Sequence, residues 1–165
     1  MRILVISDTH IPEQYRRLEP IIEEEAKKSD YCLHCGDFTN YSLYETLSKW
    51  TKVYGVAGNM DSADIQKELP KKQLLNLENL KIGLTHGSGQ PQGLIKYLQH
   101  EFASELKNLD IIVFGHAHNP TNEEINGVIY FNPGSCTDTI FAAKRTYGIL
   151  ETTDSGLKRR IVEIE

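Results

Sequence analysis

The side chains best suited to chemistry fall in two short motifs, Asp8-Thr9-His10 and His116-Ala117-His118. Each carries two metal-capable groups with one residue between them. In extended backbone, residues two apart face the same way, so each pair is expected to converge on one point; on a helix the two would lie nearly opposite. Further candidates stand just after other apolar runs. They are Asp37 behind Tyr31–Cys35, Asn59 behind Lys52–Val56, and His86 behind a run ending near Thr85. Carboxylate, amide and imidazole donors together suit Mn, Fe, Ni or Zn better than an all-oxygen magnesium site. No Ser-His-Asp pattern is evident, and Ser135 has no visible partner base. Metal coordination is the chemistry these side chains could do, against the plainer reading of loops that happen to carry histidines.

These residues need a scaffold that brings them to one place. Residues 2–7 read as a buried strand, and a helix is expected within 13–28, with Pro20 in its first turn. Strands at 30–35 and 52–56 flank a helical segment at 41–50. A short helix in the low 60s then precedes strands near 73–78 and 80–85, joined through Glu78-Asn79. From Pro91 to Lys107 the pattern predicts the clearest helix, with Leu94, Leu98, Phe102 and Leu106 on one stripe. Residues 110–114 form another buried strand. The remainder reads as β: a hairpin turning at Asn126-Gly127 and a final pair at roughly 145–152 and 157–164. Helix-connected strands followed by hairpins imply an α/β layered domain over residues 1–165, with two mixed sheets face to face under flanking helices. In such sheets, ligand sites assemble at the carboxyl ends of strands, where all seven candidates stand.

Bulk properties set the boundaries. The chain has 165 residues, 39% of them hydrophobic and 25% charged, enough for a substantial core without staples. Its formal charge of −5 argues against an extended nucleic-acid surface. Lys71-Lys72 and Lys158-Arg159-Arg160 read as solvated surface. No apolar run is long enough for a membrane span, and three cysteines make no disulfide framework, so a cytoplasmic protein is expected. Cys32 and Cys35 form a C-x-x-C, but on a strand residues three apart point to opposite faces, which predicts core packing rather than a zinc or redox site.

The series Asp8-Thr9-His10, Gly36-Asp37, Gly58-Asn59, His86-Gly87 and Gly115-His116-Ala117-His118 resembles the calcineurin-like metallophosphoesterase family, in the family's own order. Asn132-Pro133-Gly134-Ser135 resembles a further element of its small bacterial and archaeal phosphodiesterase branch. The resemblance implies a four-layer α/β/β/α sandwich with two divalent ions at one edge, manganese foremost, with nickel, iron or zinc as alternatives. Carried over by position, Asp8, His10 and His118 would bind the first ion, and Asn59, His86 and His116 the second. Asp37 would bridge them, since a carboxylate has two oxygens and can serve both ions. Asn59 and His86 would also meet the substrate, and a hydroxide bound to both ions would attack phosphorus. Metals roughly 3.5–4 Å apart suit such in-line displacement.

One position departs from the family. Many members carry a histidine directly after the asparagine, where it assists the leaving group; here Met60 stands there and cannot donate a proton. Asp61, next along, is expected to be ionised and to serve only in orienting. The expectation is a phosphodiesterase acting on small diesters or nucleotide-like substrates with good leaving groups, and weak on alkyl monoesters. A phosphomonoesterase or nucleotide pyrophosphatase on the same centre is one alternative. Another is a non-catalytic scaffold, because one subunit of the eukaryotic retromer coat resembles this fold and serves chiefly as a binding platform. An exposed apolar edge among the last strands would support a homodimer. His34 is expected to be a packed or supporting histidine, and His100 a surface one.

Overall fold

Alternation along the first strand, β1 (Arg2–Ile6), decides the layering, because the strand is covered on both faces. Ile3 and Val5 join one apolar cluster, whereas Leu4 and Ile6 join another. The computed structural model describes residues 1–10 and 18–165. In it, β1 is followed by α1 (Pro20–Lys28), β2 (Tyr31–His34), α2 (Tyr41–Ser48), β3 (Lys52–Gly55) and α3 (Ala63–Glu68). Then come β4 (Lys72–Leu77), β5 (Leu80–Thr85), α4 (Leu94–Glu101) and β6 (Ile111–Val113). The chain ends in two hairpins, β7 (Thr121–Ile125) with β8 (Val128–Asn132), and β9 (Thr146–Thr153) with β10 (Gly156–Glu163).

Two mixed sheets result, ordered β10-β9-β1-β2-β3 and β4-β5-β6-β8-β7. Strands β1, β2 and β3 run parallel in the first, and β5, β6 and β8 in the second. Ile3, Val5 and Leu33 meet Ile82, Leu84, Val113 and Phe131 in the layer between the sheets. Outside the first sheet, Leu4 and Ile6 pack with Ile22 and Ala26 of α1 and Leu43 and Leu47 of α2. Outside the second, Leu94 and Leu98 of α4 pack on Ile112 and Tyr130. The four-layer sandwich expected from the sequence is thus present. Cys32 lies in the outer layer and Cys35 in the inner one, both unpaired, as the strand periodicity requires.

Local signals explain most element ends. Pro20 opens α1, where its missing N–H costs nothing. The Asn40 side chain accepts the Ser42 N–H at 2.9 Å and caps α2. Asn126 and Gly127 both adopt positive φ, which the β7–β8 turn needs. The part of the first helix expected before Leu18 falls largely outside the described residues. One expectation fails: the helix predicted to reach Lys107 ends at Glu101, and a single 3-10 turn at Leu106–Asn108 follows. Phe102, the residue that follows, packs over Gly83, where an added Cβ would stand 2.7 Å from the ring. The chain turns there to enter β6.

Candidate metal centre

Five parallel strands deliver all seven candidate ligands to one edge of the sandwich. Asp8 and His10 follow β1, Asp37 follows β2, Asn59 follows β3, His86 follows β5, and His116 and His118 follow β6. The backbone there is not extended, which corrects the simple picture of paired side chains facing one way. Asp8 (φ 51°), His10 (39°), Asp37 (57°), His116 (69°) and His118 (55°) are all left-handed. Such conformations cost roughly 1–3 kcal/mol each for non-glycine residues and persist only where the surroundings enforce them. Backbone hydrogen bonds from Asp8 to Gly36 and from His10 to Asp37, each 3.1 Å, do so here. Asp8 and His10 still converge, with Asp8 Oδ1 3.9 Å from His10 Nε2. His116 and His118 diverge: His118 turns toward His10 and Asp8, and His116 toward His86, with ring centroids 5.2 Å apart.

Two glycines make this closeness feasible. A Cβ on Gly58 would lie 2.1 Å from Asp37 Oδ1, and one on Gly115 would lie 1.9 Å from Ser7 Oγ. Only a residue without a side chain fits at either place.

Two donor groups share this floor. In one, Asp8 Oδ1 lies 3.4 Å from His118 Nε2, and His10 Nε2 lies 3.2 Å from His118 Nε2. In the other, His86 Nε2 lies 3.0 Å from Asn59 Oδ1 and 3.4 Å from Asp37 Oδ2. Asp37 Oδ2 is also 3.6 Å from His10 Nε2, so one oxygen faces both groups. The other, Oδ1, accepts the Met60 N–H at 2.7 Å. One oxygen of Asp37 thus faces both donor groups, while the other is committed to the Met60 backbone.

The far ring nitrogens fix how these histidines present themselves. His86 Nδ1 donates to the Cys35 carbonyl at 2.7 Å, His118 Nδ1 donates to Asp138, and His116 Nε2 donates to the Gly89 carbonyl at 2.9 Å. A neutral imidazole that donates at one nitrogen keeps a lone pair at the other, and partners of this kind are what orient metal-binding histidines. Lone pairs of His118 and His86 therefore point at carboxylate and amide oxygens, an arrangement that calls for a cation or extra protons between them. Asp8 Oδ1 makes the same demand. It is buried and lacks a hydrogen-bond partner among the described residues, while Oδ2 is taken by the Ser7 hydroxyl (2.5 Å) and the His116 N–H (3.0 Å). The donor set fits divalent metal ions.

Charge follows the same layout. Burial pushes the Asp8 carboxyl above its ordinary range, against the pull of His86 and Ser7. Burial also opposes ionisation of Asp37, but its hydrogen bond and attraction to His86 win and hold its pKa down. His86 is the counterpart. Burial lowers its pKa, and the hydrogen bond to Asp37, followed by the charges of Asp8 and Asp37, more than offsets this to bring it to about 8.

The remaining sequence candidates divide clearly. His34 is fully buried, stacked on Phe38, and meets Thr9 Oγ1 at 3.1 Å, a packed supporting histidine. Burial holds its pKa well below the ordinary value, so it stays neutral. Asp61 does not line the cavity over the centre. Its carboxylate accepts backbone N–H groups of Gly58 (2.7 Å), Thr39 (2.7 Å) and Asp37 (3.0 Å), tying the loops that carry Asp37 and Asn59. Met60 is 60% exposed on the cavity wall. Asn40 is spent on capping, Ser135 donates to the Asp8 carbonyl at 2.7 Å, and His100 is exposed on α4. Sequence reasoning missed Asp138. Its carboxylate accepts from His118 and from the N–H groups of Ile140 (2.8 Å), Phe141 (3.1 Å) and Ala142 (3.2 Å). Hydrogen bonding to His118 and to these amides overcomes partial burial and depresses its pKa to about 2.

An Asp/His floor at the merged carboxyl edge of a two-sheet sandwich defines a metal-binding α/β protein. The chain belongs to the calcineurin-like phosphoesterase superfamily, whose domain model matches residues 1–155. A probable metallophosphoesterase of Methanocaldococcus jannaschii is 33% identical over 138 residues, covering 83% of this chain and 69% of the relative. A phosphodiesterase from the same organism is 26% identical over 179 residues, covering 99% and 100%. Among solved structures, a Thermotoga maritima protein superposes with a TM-score of 0.76 at 32% identity, covering 99% of each chain. The zinc complex of Vps29 from Entamoeba histolytica does so with 0.75 at 23% identity, also covering 99% of each, which speaks for the fold.

Proposed function

We propose that the protein is a phosphodiesterase with two divalent ions, manganese by preference, on small diesters or nucleotide-like substrates. Asp8, His10 and His118 would hold one ion, Asn59, His86 and His116 the other, and Asp37 would serve both. The observation that carries this reading is Asp37 Oδ2, set 3.6 Å from His10 Nε2 and 3.4 Å from His86 Nε2 between the two donor groups. When bound, a pair of divalent ions supplies Lewis acidity to phosphate oxygens and lowers the pKa of water. The chain's own residues do the rest. Asp138, Cys35 and Gly89 hold the histidine rings by their far nitrogens, and Asp61 keeps the Asp37 and Asn59 loops in register. Asn59 and His86 would orient the substrate phosphate.

Leaving-group chemistry follows from Met60. A thioether supplies no proton, and Asp61 is committed to three backbone amides. Loss of a general acid costs about two to four orders of magnitude when the leaving group is basic. Activated diesters are thus favoured over alkyl monoesters. The three buried, unpaired cysteines support a reducing, cytoplasmic setting, and no described helix is long and apolar enough to cross a membrane.

The test is hydrolysis of bis(p-nitrophenyl) phosphate, p-nitrophenyl phosphate and a simple alkyl phosphate by chelator-stripped protein with and without Mn²⁺. Diester turnover restored by metal, with negligible alkyl monoester turnover, is expected. Efficient alkyl monoester hydrolysis would favour the monoesterase alternative. Metal binding without turnover of any ester would favour the scaffold alternative, a use of the fold that the Vps29 likeness keeps in view.

A further inference from the structure

Above the donor groups opens a cavity of about 530 Å³ with two unlike halves. Its floor is His10, Asp37, Asn59 and the two histidines after β6. Its rim carries Met60, Ile140 and Phe141, which are 60%, 77% and 76% exposed. Large apolar side chains scattered singly over a surface need no explanation, but three on one concave wall beside a polar centre do.

The rim is fixed in place. Asp138 Oδ1 accepts the N–H groups of Ile140 and Phe141, and Oδ2 accepts that of Ala142 as well as the His118 Nδ1–H. The carboxylate that orients a candidate ligand therefore also pins the backbone bearing the two most exposed apolar side chains. Phe141 stands edge-on to the His118 ring, with centroids 6.2 Å apart at 80°. A surface already ordered before binding loses little freedom on covering a ligand.

We infer that Met60, Ile140 and Phe141 form a recognition shelf for a planar apolar ester arm, an aryl group or nucleobase, on the substrate whose phosphate sits on the floor. The inference rests on the phosphodiesterase reading and names the substrate class within it. The shape argues for one ligand spanning both halves, because the floor and the shelf belong to one concavity and offer an anion site beside an apolar wall. A second cavity of about 380 Å³ shares only Asn59 with the first. Gln66, Lys71, Ser88 and Glu101 give it a polar lining that suits a different arm.

The test compares binding of dimethyl phosphate and diphenyl phosphate to Mn²⁺-loaded protein by calorimetry, independent of turnover. Wild type should prefer diphenyl phosphate by at least about tenfold, the scale on which apolar pockets discriminate. In the double variant Phe141→Ala, Ile140→Ala the preference should fall to within about threefold. Binding of both phosphates without discrimination, or a preference untouched by the double variant, overturns the shelf and leaves the phosphodiesterase reading standing. Binding of neither, together with no diester turnover, overturns that reading and the shelf with it. If sedimentation shows a wild-type dimer that the double variant dissolves, the rim is an interface between copies and the shelf is overturned.

Discussion

The floor and the rim of the cavity are built on opposite principles, although one carboxylate joins them. At and beneath the floor, Asp37, Asp8 and His86 are buried, Asp8 and Asp37 are left-handed, and Asp8 Oδ1 lacks a hydrogen-bond partner among the described residues. On the rim, Met60, Ile140 and Phe141 are exposed and make no polar side-chain contact among the described residues. Floor residues are constrained by what they must hold, so a change at one propagates through hydrogen bonds to the others. Rim residues are constrained by what they must touch, so a change there should alter selectivity and little else.

The largest effect expected is on the floor. Asp37→Asn should lower metal-dependent diester turnover by more than about 100-fold, beyond the range seen for groups that merely support a ligand. A smaller effect would show that Asp37 Oδ2 is not shared between two ions. Asp138→Ala comes next and is the sharpest probe of the join. It should weaken Mn²⁺ binding by about 10- to 100-fold through His118, and it should also erase any preference for diphenyl over dimethyl phosphate. Loss of only one of these would separate floor from rim.

Asp61→Asn tests the loops below the floor. An amide cannot accept at both of its atoms, so at least one of the Gly58, Thr39 and Asp37 amides would lose its partner. Destabilisation of about 1–3 kcal/mol is expected from the urea unfolding midpoint, with no selectivity change in the metal-loaded protein. The smallest effect concerns pH. The His86 pKa is raised in the folded metal-free protein, from 6.5 to about 8, so its contribution to stability is full below pH 6.5 and lost as pH rises through about 8. Metal binding requires the neutral ring and should strengthen across the same window. Thermal melting and Mn²⁺ titrations from pH 6 to 9 should therefore show opposite slopes, and His86→Gln should flatten both.

The same contrast explains what could be read from the chain. The candidate metal centre was legible because its residues stand directly after apolar runs and beside glycines, features local to the sequence. The two sheets were legible from periodicity, down to the placement of Cys32 and Cys35 in opposite layers. The left-handed turns at Asp8, His10, His116 and His118 were not, because non-glycine residues carry no local mark of positive φ. Nor was the end of α4, since the apolar stripe runs on through Phe102, which packs on Gly83 of β5. Asp138 shows the limit most clearly. Its bonds to the amides of residues 140–142 follow a local turn pattern that an aspartate commonly makes. Its bond to His118 spans 20 residues, across a loop tied to the motif by Asn132, which donates to the Gly115 carbonyl at 2.8 Å, and by Ser135, which donates to the Asp8 carbonyl. The rim was read only as an absence, a missing histidine at Met60, and its apolar character emerged once Ile140 and Phe141 were seen to line the same cavity.

The central claim is that one carboxylate oxygen of Asp37 serves two metal ions. Electron paramagnetic resonance during Mn²⁺ titration of stripped protein tests it most directly. Two ions bound per chain, with a spin-coupled signal that Asp37→Asn abolishes, are expected. A single uncoupled Mn²⁺ in the wild type, or a signal that remains that of the free ion, would contradict it.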